Sequence, residues 1–262
     1  MPFIQTPELQ IEYRTFGEGS PVTVFAHGVS SSIEDTRFLG SGVRGTRVFF
    51  HFRGHGESGV PEGGWDYAGA TRDLRAVADE VEATQALGIS MGAGAMLGLL
   101  AETPDRFERC AFVLPAGLDR PRSDGSLSTL LERADAIEHG TVESLTEYLI
   151  AELPDDLRTM RGIRELMRER AERQYRPGVA RALRGLPSTP PLDDRTVLAK
   201  VSAPSLVIGQ EGDEVHPSSV ARELAAALPD ARLHVFPRPW SMLRERDTLR
   251  DLVAGLLNGD SG

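Results

Sequence analysis

Residues 88–92 read Gly-Ile-Ser-Met-Gly, a G-x-S-x-G pentapeptide. A strand-like run, Thr84–Ile89, precedes the serine, and a helix-like run, Ala93–Ala101, follows it. A sharp strand-to-helix turn at Ser90 strains the serine backbone and crowds its neighbours. The residues two before and two after must then be nearly free of side chain, which Gly88 and Gly92 satisfy. Such a turn exposes the serine Oγ beyond the strand end, and the helix N-terminus behind it favours developing negative charge. The chemistry this arrangement serves is nucleophilic attack on a carbonyl. A serine hydroxyl is a weak nucleophile without a base, so the next question is which elements could bring a base and an acid to Ser90.

The elements alternate. Leu9–Phe16 is an alternating, half-buried strand, and Val22–Ala26 and Arg47–Phe52 are short runs rich in β-branched and aromatic residues. Asp66–Ala83 carries Ala70, Leu74, Val77, Ala78 and Val81 at helical spacing. Cys110–Leu114, Ser205–Ile208 and Arg232–Phe236 are further buried strands, with helices over Ser218–Leu228 and Asp247–Leu257. Strand–helix alternation predicts an α/β fold, a mostly parallel sheet with helices on both faces. Leu118 to Asp194 breaks the alternation. Its apolar residues recur at helical spacing in three stripes: Leu127 to Ile137, Leu145 to Leu153, and Met160 to Ala171. This reads as a helical cap over 118–194 inserted into a core of 1–117 and 195–262. The Arg/Glu run Arg158–Arg176 reads as a solvated helix face with pairs such as Glu169 and Arg173.

Composition narrows the setting. The 262 residues are 40% hydrophobic and carry a formal net charge of −10. An acidic surface disfavours nucleic acid and anionic membranes, because phosphate binding needs a basic one. Basic residues other than Lys200 are arginines. The single cysteine, Cys110, excludes an intramolecular disulfide and lies in an apolar run, as a core residue does. The sequence lacks a signal-peptide pattern at its start and any run of 18 apolar residues, so a cytoplasmic protein acting on a small molecule is expected. No metal-ligand cluster, phosphate loop or nicotinamide fingerprint appears; the small residues of "GAGAMLG" suit close helix–sheet packing. No cofactor and no metal are expected.

Four segments together resemble the α/β-hydrolase superfamily: "LGISMGAGA", "FAHGVSSS", "HFRGHGESG" and "LVIGQEGDEVHP". The resemblance covers nearly the whole chain and is specific for the superfamily, not for a substrate. It implies an oxyanion hole made by the N–H groups of Val29, after the His27-Gly28 pair, and of Met91, after the nucleophile. It makes His27 an anchor at the edge of the site, where it and His51 are candidates for touching substrate. His51 stands where the family's loop usually has aspartate, and falls near the substrate's rim. The acid maps to Asp213, in the family's Ser…Asp…His order.

The histidine is where the pattern fails. The family's base follows the last strand in a segment resembling P-G-x-G-H, which falls on "FPRPWSM" with Trp240 at the glycine and Ser241 at the histidine. No histidine occurs after His234, which lies inside that last strand. His216, three residues past Asp213, leaves the same strand end and is the candidate replacement, with Pro217 and its short tether limiting reach. Losing the base from a working triad costs on the order of 10⁶ in turnover, or roughly 8 kcal/mol. With the triad read as incomplete, the sequence favours non-hydrolytic chemistry, a lyase, cyclase or bond-forming reaction using the oxyanion hole. There Ser90 orients the substrate and Trp240 and Ser241 line it. The alternatives are an ester, lactone or thioester hydrolase with an unusual base, and a ligand-binding protein without turnover.

Overall fold

A computed structural model describes residues 2–120, 122 and 124–260. Pro121 and Ser123, within the expected cap range, and the extreme termini lie outside the described residues. Eight strands form one sheet: β1 (Phe3–Gln5), β2 (Gln10–Phe16), β3 (Val22–Ala26), β4 (Thr46–Phe50), β5 (Gln85–Ile89), β6 (Arg109–Val113), β7 (Ser205–Gln210) and β8 (Ala231–Phe236). The order is β1-β2-β4-β3-β5-β6-β7-β8, and the six strands from β4 to β8 in that order are parallel. β2 pairs antiparallel with both β1 and β4. The chain leaves β3 toward one edge and returns as β5 on the other side. The crevice at the carboxyl ends of β3 and β5 is therefore the topological switch point, where open α/β sheets bind ligands.

The helices are α1 (Ile33–Thr36), α2 (Tyr67–Glu80), α3 (Met91–Glu102), α4 (Asp124–His139), α5 (Val142–Glu152), α6 (Asp155–Arg158), α7 (Ile163–Gln174), α8 (Pro177–Gly185), α9 (Ser218–Ala227), α10 (Ser241–Arg244) and α11 (Arg246–Leu257). Side chains alternate across the sheet with period two. Val24, Val48, Ala86 and Val207 join one core with α2, α3 and α9, while Phe25, Phe49, Leu87 and Ile208 join the other with α1 and α11. β1 has only three residues and too short a pattern to be read from sequence.

Helices α4 to α8 occupy the span between β6 and β7 and carry an apolar cluster of their own, built from Leu130, Ala134, Leu145, Leu149, Met167 and Leu183 with others. α8 escapes the sequence pattern because α7 stops at Gln174 and Pro177 opens a new helix only three residues later. Val29, Val215 and Trp240 of the core pack against this cluster, so the inserted helices sit over the carboxyl ends of the strands. No helix among the described residues is long and apolar enough to cross a membrane.

Candidate active site

Ser90 stands at the end of β5 with φ 51° and ψ −106°, a backbone conformation few non-glycine residues adopt. The two glycines make the turn possible. A Cβ on Gly92 would lie 2.2 Å from the Ala26 carbonyl oxygen of β3, and one on Gly88 would lie 2.5 Å from the Gly92 backbone. The turn is thus wedged against the neighbouring strand. Ser90 is only 7% exposed. Its backbone N–H donates to Val113 O at 3.0 Å, and its carbonyl accepts from Gly94 N–H at 3.0 Å.

His216 faces this serine. Its Nε2 lies 2.9 Å from Ser90 Oγ, and its Nδ1 lies 3.1 Å from Asp213 Oδ2. The tether is short because Asp213 closes a turn on itself: Oδ1 accepts from the N–H groups of Val215 at 3.0 Å and His216 at 2.9 Å. Oδ2 is left for the imidazole. Burial pushes the Asp213 carboxyl up, but the His216 ring and these backbone donors outweigh it and hold it below the usual aspartate value. Sequence places this histidine one loop too early for its family, yet the turn aims it back over the end of β5. With Nδ1–H given to Asp213, Nε2 is an acceptor for the Ser90 hydroxyl proton. The premise of an incomplete triad is therefore corrected: Ser90, His216 and Asp213 form one hydrogen-bonded chain.

The oxyanion candidates lie beside it. A Cβ on Gly28 would lie 3.4 Å from Ser90 Cβ, so the 27–30 loop runs directly along the serine. Met91 is the first residue of α3, where backbone N–H groups have no intrahelical acceptor.

The expectation that His27 and His51 contact substrate is not supported, for a physical reason. Both ring nitrogens of each are occupied. His27 donates Nδ1–H to Gly28 O at 2.7 Å and accepts from Phe52 N–H at 3.1 Å. His51 donates Nδ1–H to Glu12 Oε2 at 2.7 Å and accepts from Ile33 N–H at 3.1 Å. His55 completes the set, donating to Arg53 O at 2.9 Å and accepting from Ser30 N–H at 3.3 Å. Three histidines thus brace the loop from His27 to Ile33. Burial, then the neighbouring His55 and His51, push His27 well below its ordinary value. Burial is also the main cause that brings His55 down to about 4. Sequence reasoning missed this brace, because nothing in the spacing of residues 27, 51 and 55 signals that their rings pack edge to face and tilted against one another beyond β3 and β4. His27 and His55 ring centroids are 4.8 Å apart.

Ser241 does not reach the triad. It is 2% exposed, and it opens α10 with its N–H on Arg238 O at 3.2 Å. Its loop packs beside the turn that carries the acid: a Cβ on Gly212 would lie 2.5 Å from Pro239 Cγ. Trp240 has φ 65° and packs on the cap's apolar cluster. A cavity of about 300 Å³ beside the His216 loop is lined by Ala116, Leu118, Arg122, Ser126, Pro217 and Val220 with others. Ser90 is not among its lining residues. Arg122 Nη1 there donates to Val215 O at 3.1 Å, holding the same loop. Asp135, Glu138 and His139 come close enough to share an ion. They are exposed, and Arg184 already donates to both carboxylates.

Comparison with known proteins fixes the family. Residues 23–248 match the alpha/beta hydrolase family. The chain belongs to it. Solved structures with the same fold include a hydrolase from Pseudomonas aeruginosa PA01 (22% identity, TM-score 0.79, covering 98% of this chain and 97% of that one). An enol-lactonase from Burkholderia xenovorans LB400 has 20% identity and TM-score 0.80, covering 98% and 100%. A meta-cleavage product hydrolase from Pseudomonas fluorescens IP01 has 21% identity and TM-score 0.80, covering 100% and 98%. Among curated sequences, homoserine O-acetyltransferases of Cryptococcus neoformans and Salinibacter ruber are 43% and 42% identical over 61 and 65 residues. Those segments are 21% and 24% of this chain and only 12% and 18% of the relatives' lengths. The family and these hydrolase neighbours support an enzyme of hydrolase-like kind.

Proposed function

We propose that this protein is a serine hydrolase acting on a small ester, lactone or thioester. Ser90 is the nucleophile, His216 the general base and acid, and Asp213 the group that orients the imidazole. The observation that carries this reading is the continuous hydrogen-bonded chain from Ser90 Oγ through His216 to Asp213. His216 Nε2 takes the hydroxyl proton as Oγ adds to the substrate carbonyl, and the imidazolium is stabilised by the Asp213 carboxylate. The oxyanion that forms is held by the N–H groups of Val29 and Met91. Collapse expels the alcohol or thiol, which takes the proton from His216 and leaves an acyl group on Ser90. Water, deprotonated by the same imidazole, then releases the acid and restores the serine.

Trp240, Val29 and Val215, all packed on the cap cluster, form the apolar wall between the reacting carbonyl and the inserted helices. Ser241 takes no part beyond supporting that loop. The lyase or cyclase reading rested on a missing base, and the binding-only reading on a dead site; neither has an observation of its own.

Covalent labelling tests the proposal. A fluorophosphonate probe is expected to modify Ser90, identified by mass spectrometry of the labelled peptide, and to leave Ser90→Ala unmodified. Absence of labelling on the folded wild-type protein would sink the hydrolase reading.

A further inference from the structure

The Arg158–Arg176 run does not behave as one solvated face. Arg164 and Arg168 point outward and pair with Glu143, Glu147 and Glu172. Arg173 turns the other way, donating to Asp35 of α1 at 3.3 Å; Glu169 reaches it only at 4.0 Å and is more than half exposed. From α4, Arg133 donates to Ser30 Oγ at 3.2 Å and also pairs with Glu152. Ser30 follows Val29, so a cap guanidinium rests directly on the oxyanion loop.

Arg170 lies among these groups. The charges that act on it most are those of Asp35, Arg133, Glu152 and Arg173. The Nε of Arg133, Arg170 and Arg173 is in each case buried without a partner, but Arg133 and Arg173 bond through their Nη groups, whereas Arg170 has no hydrogen bond or ion pair among the described residues. Three guanidiniums therefore share two half-buried carboxylates, Asp35 and Glu152. One helical turn further along α7, on the same face, Gln174 is 2% exposed, and both its amide nitrogen and its amide oxygen are buried without partners. A buried polar group left unpaired costs about 1–3 kcal/mol. Two such side chains, four residues apart on one face of α7, are what an absent acceptor leaves behind. A carboxylate accepts from a guanidinium fork and from an amide N–H₂ together. Burial, with Arg133 and Arg173 adding to it, pulls the Arg170 value down against the opposing Asp35 and Glu152, so an incoming anion relieves like-charge crowding.

We infer that Arg170 and Gln174 form a subsite for a carboxylate, so that the preferred substrate is an ester, lactone or thioester bearing a free carboxylate a few carbons from the reacting carbonyl. This rests on the hydrolase reading of Ser90.

The test is a matched pair of esters, monomethyl glutarate and methyl valerate, which differ in a carboxylate against a methyl group. Wild-type kcat/KM is expected to favour the glutarate ester by about 10- to 100-fold, the range of a charge-assisted hydrogen bond. In Arg170→Met that ratio should fall to near one, and Arg170→Lys should recover part of it, which separates lost charge from lost folding. A wild-type ratio near one for mono-esters from malonate to adipate overturns the inference, as does a ratio that survives Arg170→Met. If neither ester is hydrolysed, the hydrolase reading fails instead, and binding decides the subsite. Calorimetry on Ser90→Ala should then show glutarate binding that weakens at least 10-fold when Arg170→Met is added; no glutarate binding to Ser90→Ala overturns it.

Discussion

His216 bonds at one nitrogen to an aspartate three residues earlier and at the other to a serine 126 residues earlier. Removing it should abolish most turnover. His216→Ala is expected to lower kcat by about 10⁶, as removal of the base does in a working triad, measured by steady-state hydrolysis of a p-nitrophenyl ester. Ser241→His is expected to bring no gain in that assay, because His216 Nε2 already lies 2.9 Å from Ser90 Oγ. Placing an imidazole where a serine is 2% exposed should instead destabilise the protein by about 1–3 kcal/mol, read in chemical denaturation. His55 makes a pH prediction. Its folded value is about 4 against 6.5 for the free side chain, so the unfolded chain takes up the proton first. Stability should therefore fall as pH drops below about 6.5 and level off below about 4. The total loss is about 3 kcal/mol, from 2.5 units at 1.36 kcal/mol each. His55→Gln should flatten that window in urea titrations at stepped pH. Should the two proteins lose stability in parallel from pH 6.5 to 4, His55 is not the group responsible.

At the scale of elements, the turn between β5 and α3 is held by contacts too close for any side chain. Gly92→Ala places a methyl group 2.2 Å from Ala26 O, so either β3 or the elbow must move. We expect a destabilisation of about 1–3 kcal/mol. Activity should fall further than stability explains, since a 1 Å displacement of a reacting group can lose about 10²-fold. The check is kcat on protein shown to be folded by circular dichroism at the assay temperature. The glycine spacing, the flanking strand and the following helix were all readable in the sequence because this turn is local: five consecutive residues contain its physics. The loop after β8 read differently. Its sequence shows only that histidine is missing, and α10 with the positive φ of Trp240 had no local signature.

At the scale of the whole molecule, the cap has a core of its own in which Leu145 is fully buried. Leu145→Ala should cost about 2–5 kcal/mol. Because Val29, Val215 and Trp240 tie this cluster to the strand ends, the loss should appear as one cooperative calorimetric transition moved to lower temperature. A separate early transition for the cap, with the core transition unmoved, would contradict that coupling.

The sequence by itself determined the sheet, its alternation with helices and the helical insertion, and it singled out Ser90 and Asp213 as candidates. Each of these depends on periodicity or on residues within a few positions of one another. It also named His216, but it could not say where the ring points. That depended on the Asp213 side chain closing a turn on the backbone of residues 215 and 216, on β7 lying two strands from β5, and on the carboxyl ends of both facing one crevice. The inward turn of Arg170 and Gln174 likewise belongs to the packing of α7 on its neighbours, because a charged residue's spacing does not reveal which face of a helix will be covered. The histidine brace of the 27–33 loop was beyond the sequence for the same reason: its cross-segment bonds join residues 18 to 39 positions apart, and only the fold makes them neighbours.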